Sequence, residues 1–167
     1  MKKMAKKTPN KKKKLNFVLI FIICLLIVFL VAFLGSIFTS SGVNSLWYDS
    51  IKPKITPPNW VFPLVWNILF LLIAISLFFA WTRAKNKKEK IKVGFLFGIN
   101  LFLNILWSFL FFGLRNPLFG FIEIILVWLS ILALIIGLWG ISKISSWFLV
   151  PYILWVSFAS IINYLAI

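Results

Sequence analysis

The chain has 167 residues, 62% hydrophobic and 19% aromatic, yet its formal charge is +15, from 18 Lys and Arg against 3 acids. A soluble domain is roughly half apolar and about a quarter charged, whereas this chain is 13% charged, so the composition points into a membrane. Histidine is absent and Cys24 is the single cysteine, which removes Cys/His zinc sites, His-ligated haem, His-based triads and internal disulfides, so no metal site and no required cofactor are expected.

A basic face over a soluble fold would suggest nucleic acid, but these cations are confined. Eight (Lys2, Lys3, Lys6, Lys7, Lys11, Lys12, Lys13, Lys14) fill a tail over residues 1–14, and six more (Arg83, Lys85, Lys87, Lys88, Lys90, Lys92) share one loop. Anionic lipid headgroups are the partners expected at both places, and nucleic acid is not.

A membrane crossing needs roughly 20 apolar residues. Five runs qualify, at about residues 15–38, 60–82, 92–114, 118–140 and 146–167. The expected fold is an all-α membrane protein, a five-transmembrane-helix bundle behind the basic tail, with no second domain. The first run is well beyond the roughly 7–15 apolar residues of a secretory signal, so it reads as a retained helix in which Cys24 is one more apolar residue. An N-terminus inside puts fifteen cations on the inner side and three (Lys52, Lys54, Arg115) outside. The excess of Lys and Arg on cytoplasmic loops therefore predicts a cytoplasmic N-terminus and an outer C-terminus.

The connection over residues 39–59 is the one long loop, and its second half is dense in proline and aromatic residues. It is either an ordered lid or an interfacial loop anchored by Trp47 and Trp60. Of the nine tryptophans, Trp47, Trp60, Trp81, Trp139 and Trp147 fall at span ends, as an aromatic belt would. Trp66, Trp107, Trp128 and Trp155 lie deep, where an indole N–H needs a partner.

Helical phase groups these deep residues. Trp66, Phe70, Ile73 and Leu77 form a stripe on the second span, and Asn100, Asn104, Trp107, Ser108 and Phe111 share a face of the third. Tyr152, Trp155, Ala159 and Asn163 share a face of the fifth, where the small Ala159 leaves a gap among rings. These faces are either interhelical packing with amides as hydrogen-bond glue or the walls of a pocket for a flat ligand beneath the proline-rich loop. Gly94 and Gly98 lie on the other side of the third span as a GxxxG pattern, read either as a homodimer seam or as an internal contact. Glu123 is the one acid within a span, and it is either functional or reaches the surface to pair with Arg115.

The blocks Trp47-Tyr48, Lys52-Pro53, Pro57-Pro58, Trp60-Val61-Phe62-Pro63-Leu64-Val65-Trp66, Asn100 through Ser108, Phe111-Phe112-Gly113, Arg115, Pro151 through Ala159 and Asn163-Tyr164 resemble, in order, the translocator protein family, the TspO, tryptophan-rich sensory protein or peripheral-type benzodiazepine receptor group. The resemblance implies a five-helix bundle, usually a homodimer, that binds porphyrins such as protoporphyrin IX in a pocket under the first loop, between helices one, two, three and five. By motif position it implies ligand contacts from Trp47, Pro57 and Pro58 in the loop, Trp66 and Phe70 on the second span, Asn100, Asn104 and Trp107 on the third, and Trp155 and Ala159 on the fifth. It also implies a dimer seam at Gly94 and Gly98. Two positions depart from the pattern: Ile55 stands where the family commonly has tryptophan, and no basic residue follows Tyr164, which argues against cholesterol.

The expected function is an integral tetrapyrrole-binding protein of a prokaryotic cell membrane, acting in porphyrin sensing, transport or disposal. The alternatives are light-dependent porphyrin degradation, for which the resemblance points to Trp47 and Trp155, and a small lipid or metabolite transporter without tetrapyrrole.

Overall fold

The structure is a computed structural model that describes residues 11–167, with side chains described from residue 15. Its helices are α1 (Lys11–Gly42), α2 (Leu46–Ile51), α3 (Val61–Arg83), α4 (Lys87–Ser108), α5 (Pro117–Trp139), α6 (Lys143–Phe148) and α7 (Val150–Tyr164), and a π-helical turn over Phe109–Gly113 continues α4. Among the described residues, five spans are long and apolar enough to cross a membrane: Leu15–Gly42, Val61–Arg83, Lys87–Gly113, Pro117–Trp139 and Lys143–Tyr164. The all-α five-span architecture follows, and most of the basic tail lies outside the described residues.

Three boundaries differ from the apolar runs. The first helix extends over Lys11–Gly42, beyond the expected residues 15–38, and takes in the last lysines of the tail. The third begins at Lys87 and not near residue 92, because Asn86 caps it: Asn86 Oδ1 accepts from the Glu89 N–H at 2.9 Å, and the Glu89 carboxylate in turn accepts from the Lys85 N–H at 2.7 Å. The fifth begins at Lys143, capped by Ser142, and breaks at Leu149, where Pro151 has no N–H to offer the Trp147 carbonyl.

The spans close into a ring. α1 lies between α3 and α4, α4 packs on α5, α5 on α6 and α7, and α6 returns to α3. Lipid is as apolar as leucine, so packing and hydrogen bonds hold these helices together. We call the end with the Arg83–Lys92 cations the basic side and the end with α2 the lid side. On the basic side the bundle is solid: Ile73, Ala80, Val93, Ile131, Leu134, Leu138 and Leu149 are all fully buried. There the α1 rings Phe17 and Phe21 sit edge-on to Phe78 of α3, at 5.0 and 5.3 Å.

Toward the lid side, α1 instead follows α4. A Cβ on Gly35 would lie 3.3 Å from the Ser108 hydroxyl, and one on Gly42 would lie 2.5 Å from the Phe112 ring, so two glycines let α1 close onto the π-helical turn. The divergence of α1 from α3 leaves the lid half of the bundle hollow.

Candidate ligand-binding cavity

The hollow is a cavity of about 730 Å³, within the size range of small-molecule sites, roughly 300–1,000 Å³. Its walls come from four spans: Phe29, Phe33, Gly35 and Thr39 of α1, Phe62, Trp66, Asn67 and Phe70 of α3, Asn104, Trp107 and Ser108 of α4, and Ala159, Ile162 and Asn163 of α7. Phe111 and Phe112 of the π-helical turn complete the wall, and Val43, Asn44, Tyr48, Asn59 and Trp60 form the roof.

The roof is an ordered lid. Ser45 caps α2 by accepting from the Tyr48 N–H at 3.2 Å, and Asn59 donates to the Val43 carbonyl and to Asn44 Oδ1, both at 3.3 Å. Trp47 packs on Phe111 at 5.7 Å, and Tyr48 packs on Phe112 at 5.5 Å. Burial, and then the neighbouring Asp49 carboxylate, push the Tyr48 phenol above its usual pKa.

The wall is held by polar groups that satisfy one another. Asn104 donates to the Asn100 carbonyl at 3.1 Å and to the Tyr152 hydroxyl, and Asn100 donates to Ser130 Oγ at 2.8 Å. Trp107 donates to Asn163 Oδ1 at 3.0 Å and stacks on Phe111, with ring centres 5.4 Å apart and planes 17° apart. Buried polar groups in a membrane need such partners.

A family model described as TspO/MBR family matches residues 23–166. The chain belongs to the TspO/MBR family. Among its relatives, the tryptophan-rich protein TspO of Chlorobaculum tepidum is 40% identical over 135 residues, which cover 78% of this chain and 82% of the relative. The protein of the same name from Archaeoglobus fulgidus is 41% identical over 131 residues, covering 78% and 83%. The human translocator protein is 30% identical over 133 residues, covering 78% of each chain.

In this TspO/MBR bundle the expected site residues separate. Trp66, Phe70, Asn104, Trp107 and Ala159 line the cavity together. Asn100 is fully buried in the polar network behind the wall. Trp47, Pro57 and Pro58 belong to the lid but stand outside the cavity surface. Trp155 faces away from the cavity, into a shallow apolar groove with Val65, Leu72 and Leu154, and its ring meets Phe62 at 5.9 Å. Its indole N–H is enclosed and meets no acceptor among the described residues. Trp128 donates to Ser157 Oγ at 2.8 Å, which accounts for its depth.

Glu123 neither reaches the surface nor pairs with Arg115. It is 2% exposed, and its two carboxyl oxygens have no hydrogen-bond partner among the described residues. The family resemblance puts the first helix among the pocket walls, but sequence reasoning named no residue on it. The faint trace of that wall is the run of small residues Gly35, Ser36, Thr39 and Ser40 at the end of an otherwise bulky helix.

Proposed function

We propose that this multi-pass membrane protein binds a flat, largely apolar tetrapyrrole of the protoporphyrin IX type in the cavity, and serves in porphyrin sensing, transport or disposal. The observation that carries this reading is the aromatic wall. Trp66 and Phe70 on α3 and Trp107 and Phe111 on the α4 side surround a void that the single methyl of Ala159 leaves open. Ring faces on several walls suit a planar macrocycle. The family resemblance supplies the ligand class. No Lys or Arg lines the cavity among the described residues, so the propionates of such a ligand would lie toward the mouth, within reach of the lid cations.

Fluorescence quenching by protoporphyrin IX tests this. Saturable quenching is expected in the wild type, with affinity lowered at least about tenfold in a Trp66→Ala/Trp107→Ala variant that still folds, since two stacking platforms are lost. Undiminished affinity in that variant would overturn the assignment.

The same reading makes the protein a homodimer, with Gly94 and Gly98 at the seam. Both glycines are exposed, and a Cβ on Gly98 would meet nothing within 4 Å, so a second helix has room to approach. The distribution of Lys and Arg supports a cytoplasmic N-terminus and an outward C-terminus in a prokaryotic cell membrane, with anionic headgroups around the basic side.

A further inference from the structure

Three of the four seams between the spans around the cavity are sealed by named contacts. Between α1 and the α4 side, Gly35 lies against the Ser108 hydroxyl and Phe38 sits edge-on to Phe109 at 5.3 Å. Between α4 and α7, Trp107 donates to Asn163. Between α7 and α3, Trp155 meets Phe62 at 5.9 Å and Tyr152 meets Trp66 at 6.2 Å. The fourth seam, between α1 and α3, is closed in the basic half by Phe17, Phe21 and Phe78, and it parts toward the lid.

Exposure shows where the cavity opens. Every lining residue of α4, the π-helical turn and α7 is buried or half-buried. The exposed lining residues on the spans are Phe29, Phe33, Ser36 and Ser40 of α1 and Pro63 and Asn67 of α3, which flank the parted seam. Phe33 lines the cavity and is still 62% exposed. It lies nine residues in from Gly42 and Phe29 lies thirteen in, about 13 and 20 Å at 1.5 Å per residue. With a hydrocarbon core about 30 Å thick, the slot opens onto lipid chains and not only onto the headgroups.

The polar groups at the slot suit that surrounding. Ser36 donates to the Phe33 carbonyl at 2.7 Å, Ser40 to the Ile37 carbonyl at 3.4 Å, and Asn67 to the Pro63 carbonyl at 2.7 Å. Each bonds back to its own helix, which satisfies it against lipid without water. The roof, by contrast, is tied down: Tyr48 is 4% exposed and Asn59 ties Val43 to Asn44. Its exposed lining residues, Asn44 and Trp60, follow α1 and precede α3, so they mark the top of the same slot.

We infer that the slot between α1 and α3 is the entrance to the cavity, and that the ligand enters sideways from the lid-side leaflet and not through the lid. The ligand class that follows is an amphiphile dissolved in the bilayer, with an apolar body at the depth of Phe29 and Phe33 and a polar end at the headgroups. Such a molecule slides in with its polar end still at the level of Trp60, so no charge has to cross hydrocarbon. The inference rests on the cavity being a ligand site, as the proposed function does, but not on the ligand being a tetrapyrrole.

The test is thiol labelling in phosphatidylcholine vesicles. Cys24→Ala removes the one native thiol, and Ala159→Cys puts a new one on the cavity wall opposite the slot. N-(1-pyrenyl)maleimide, which dissolves in the bilayer, is expected to label this cysteine. The charged, water-soluble 2-sulfonatoethyl methanethiosulfonate should label it at least about tenfold more slowly than it labels Ser50→Cys on the exposed face of the lid, since its sulfonate would have to leave water. Adding Ser36→Trp, at an exposed position that tolerates a large ring, should slow the maleimide several-fold by narrowing the slot. If that variant does not fold, the comparison of the two reagents decides alone. Charged-reagent labelling of Ala159→Cys as fast as that of Ser50→Cys, maleimide labelling unchanged by Ser36→Trp, or no labelling by either reagent would each overturn the inference. Lateral labelling in a protein that ignores protoporphyrin IX would remove the tetrapyrrole reading and leave this one standing. Protoporphyrin IX binding in a protein that admits the charged reagent would do the reverse.

Discussion

The indole N–H of Trp107 on α4 donates to Asn163 Oδ1 on α7 at 3.0 Å, and the same asparagine donates to the carbonyl of Pro117, the first residue of α5, at 3.0 Å. One amide, 2% exposed, therefore joins three spans at the cavity wall. It also holds the Trp107 ring in its stack on Phe111. Interhelical hydrogen bonds in membranes contribute about 0.6 kcal/mol on average and up to about 1.7. Asn163→Leu removes both bonds and leaves an N–H and a carbonyl unpaired. It should cost about 1–3 kcal/mol in detergent unfolding and lower the fluorescence anisotropy of Trp107. A wild-type unfolding midpoint would show that this amide does not hold the wall.

Ala159 is the one small side chain among the α7 residues that line the cavity, with Ile162 and Asn163 as its neighbours there. Replacing it by phenylalanine places a ring in existing free space and not into packed core, so the usual cost of overpacking, about 1–3 kcal/mol, should be largely absent. Ala159→Phe should keep the wild-type unfolding temperature within a few degrees and abolish protoporphyrin IX quenching. Trp155→Ala, in the groove outside the cavity, should leave quenching nearly unchanged. The reverse result for this pair would move the binding site to the groove between α3 and α7.

Gly120 lets α5 approach the π-helical turn. A Cβ there would lie 2.7 Å from the Phe111 ring and 3.0 Å from its Cβ. Phe111 has little freedom to give way, because Trp107 stacks on one side of it and Trp47 meets it edge-on at 5.7 Å. Gly120→Ala should therefore destabilise the bundle by about 1–3 kcal/mol and loosen the lid through Phe111. Limited proteolysis of the lid segment reads the second effect. A variant as stable and as protease-resistant as the wild type would show that α5 can shift away at no cost.

Helical phase placed Asn104, Trp107, Ser108 and Phe111 together, and the structure keeps that grouping as cavity wall. Asn100 shares the phase but lies one turn deeper, where the bundle has become solid, so it serves Ser130 and Tyr152. Periodicity reports a direction around a helix and carries no information about where a void ends. Trp155 and Ala159 show the same limit on α7. They are one turn apart on nearly one face, yet the edge of the cavity passes between them, because Trp155 packs against Phe62 of α3. The residues of the α1 wall were illegible for another reason. Gly35 and Gly42 matter through Ser108 and Phe112, and it is the π-helical turn, which leaves no mark on composition, that carries Phe112 toward them.

Tyr48 anchors the lid from α2, buried against Phe111 and Phe112 with ring centres at 6.4 and 5.5 Å. Its phenol pKa is raised, by burial first and by Asp49 second. The docked lid thus holds the Tyr48 proton more tightly than the undocked chain does. The stabilisation is fully present below the unfolded phenol value of about 10 and is lost as the pH rises through the higher folded value. Lid docking should therefore be insensitive to pH around neutrality and fail only in alkali, read as protease sensitivity of the lid across a pH series. Tyr48→Phe keeps the ring contacts and removes the ionisation, so its alkaline loss should disappear. Lid sensitivity that rises near neutral pH, or an alkaline loss unchanged in Tyr48→Phe, would assign the titration to another group.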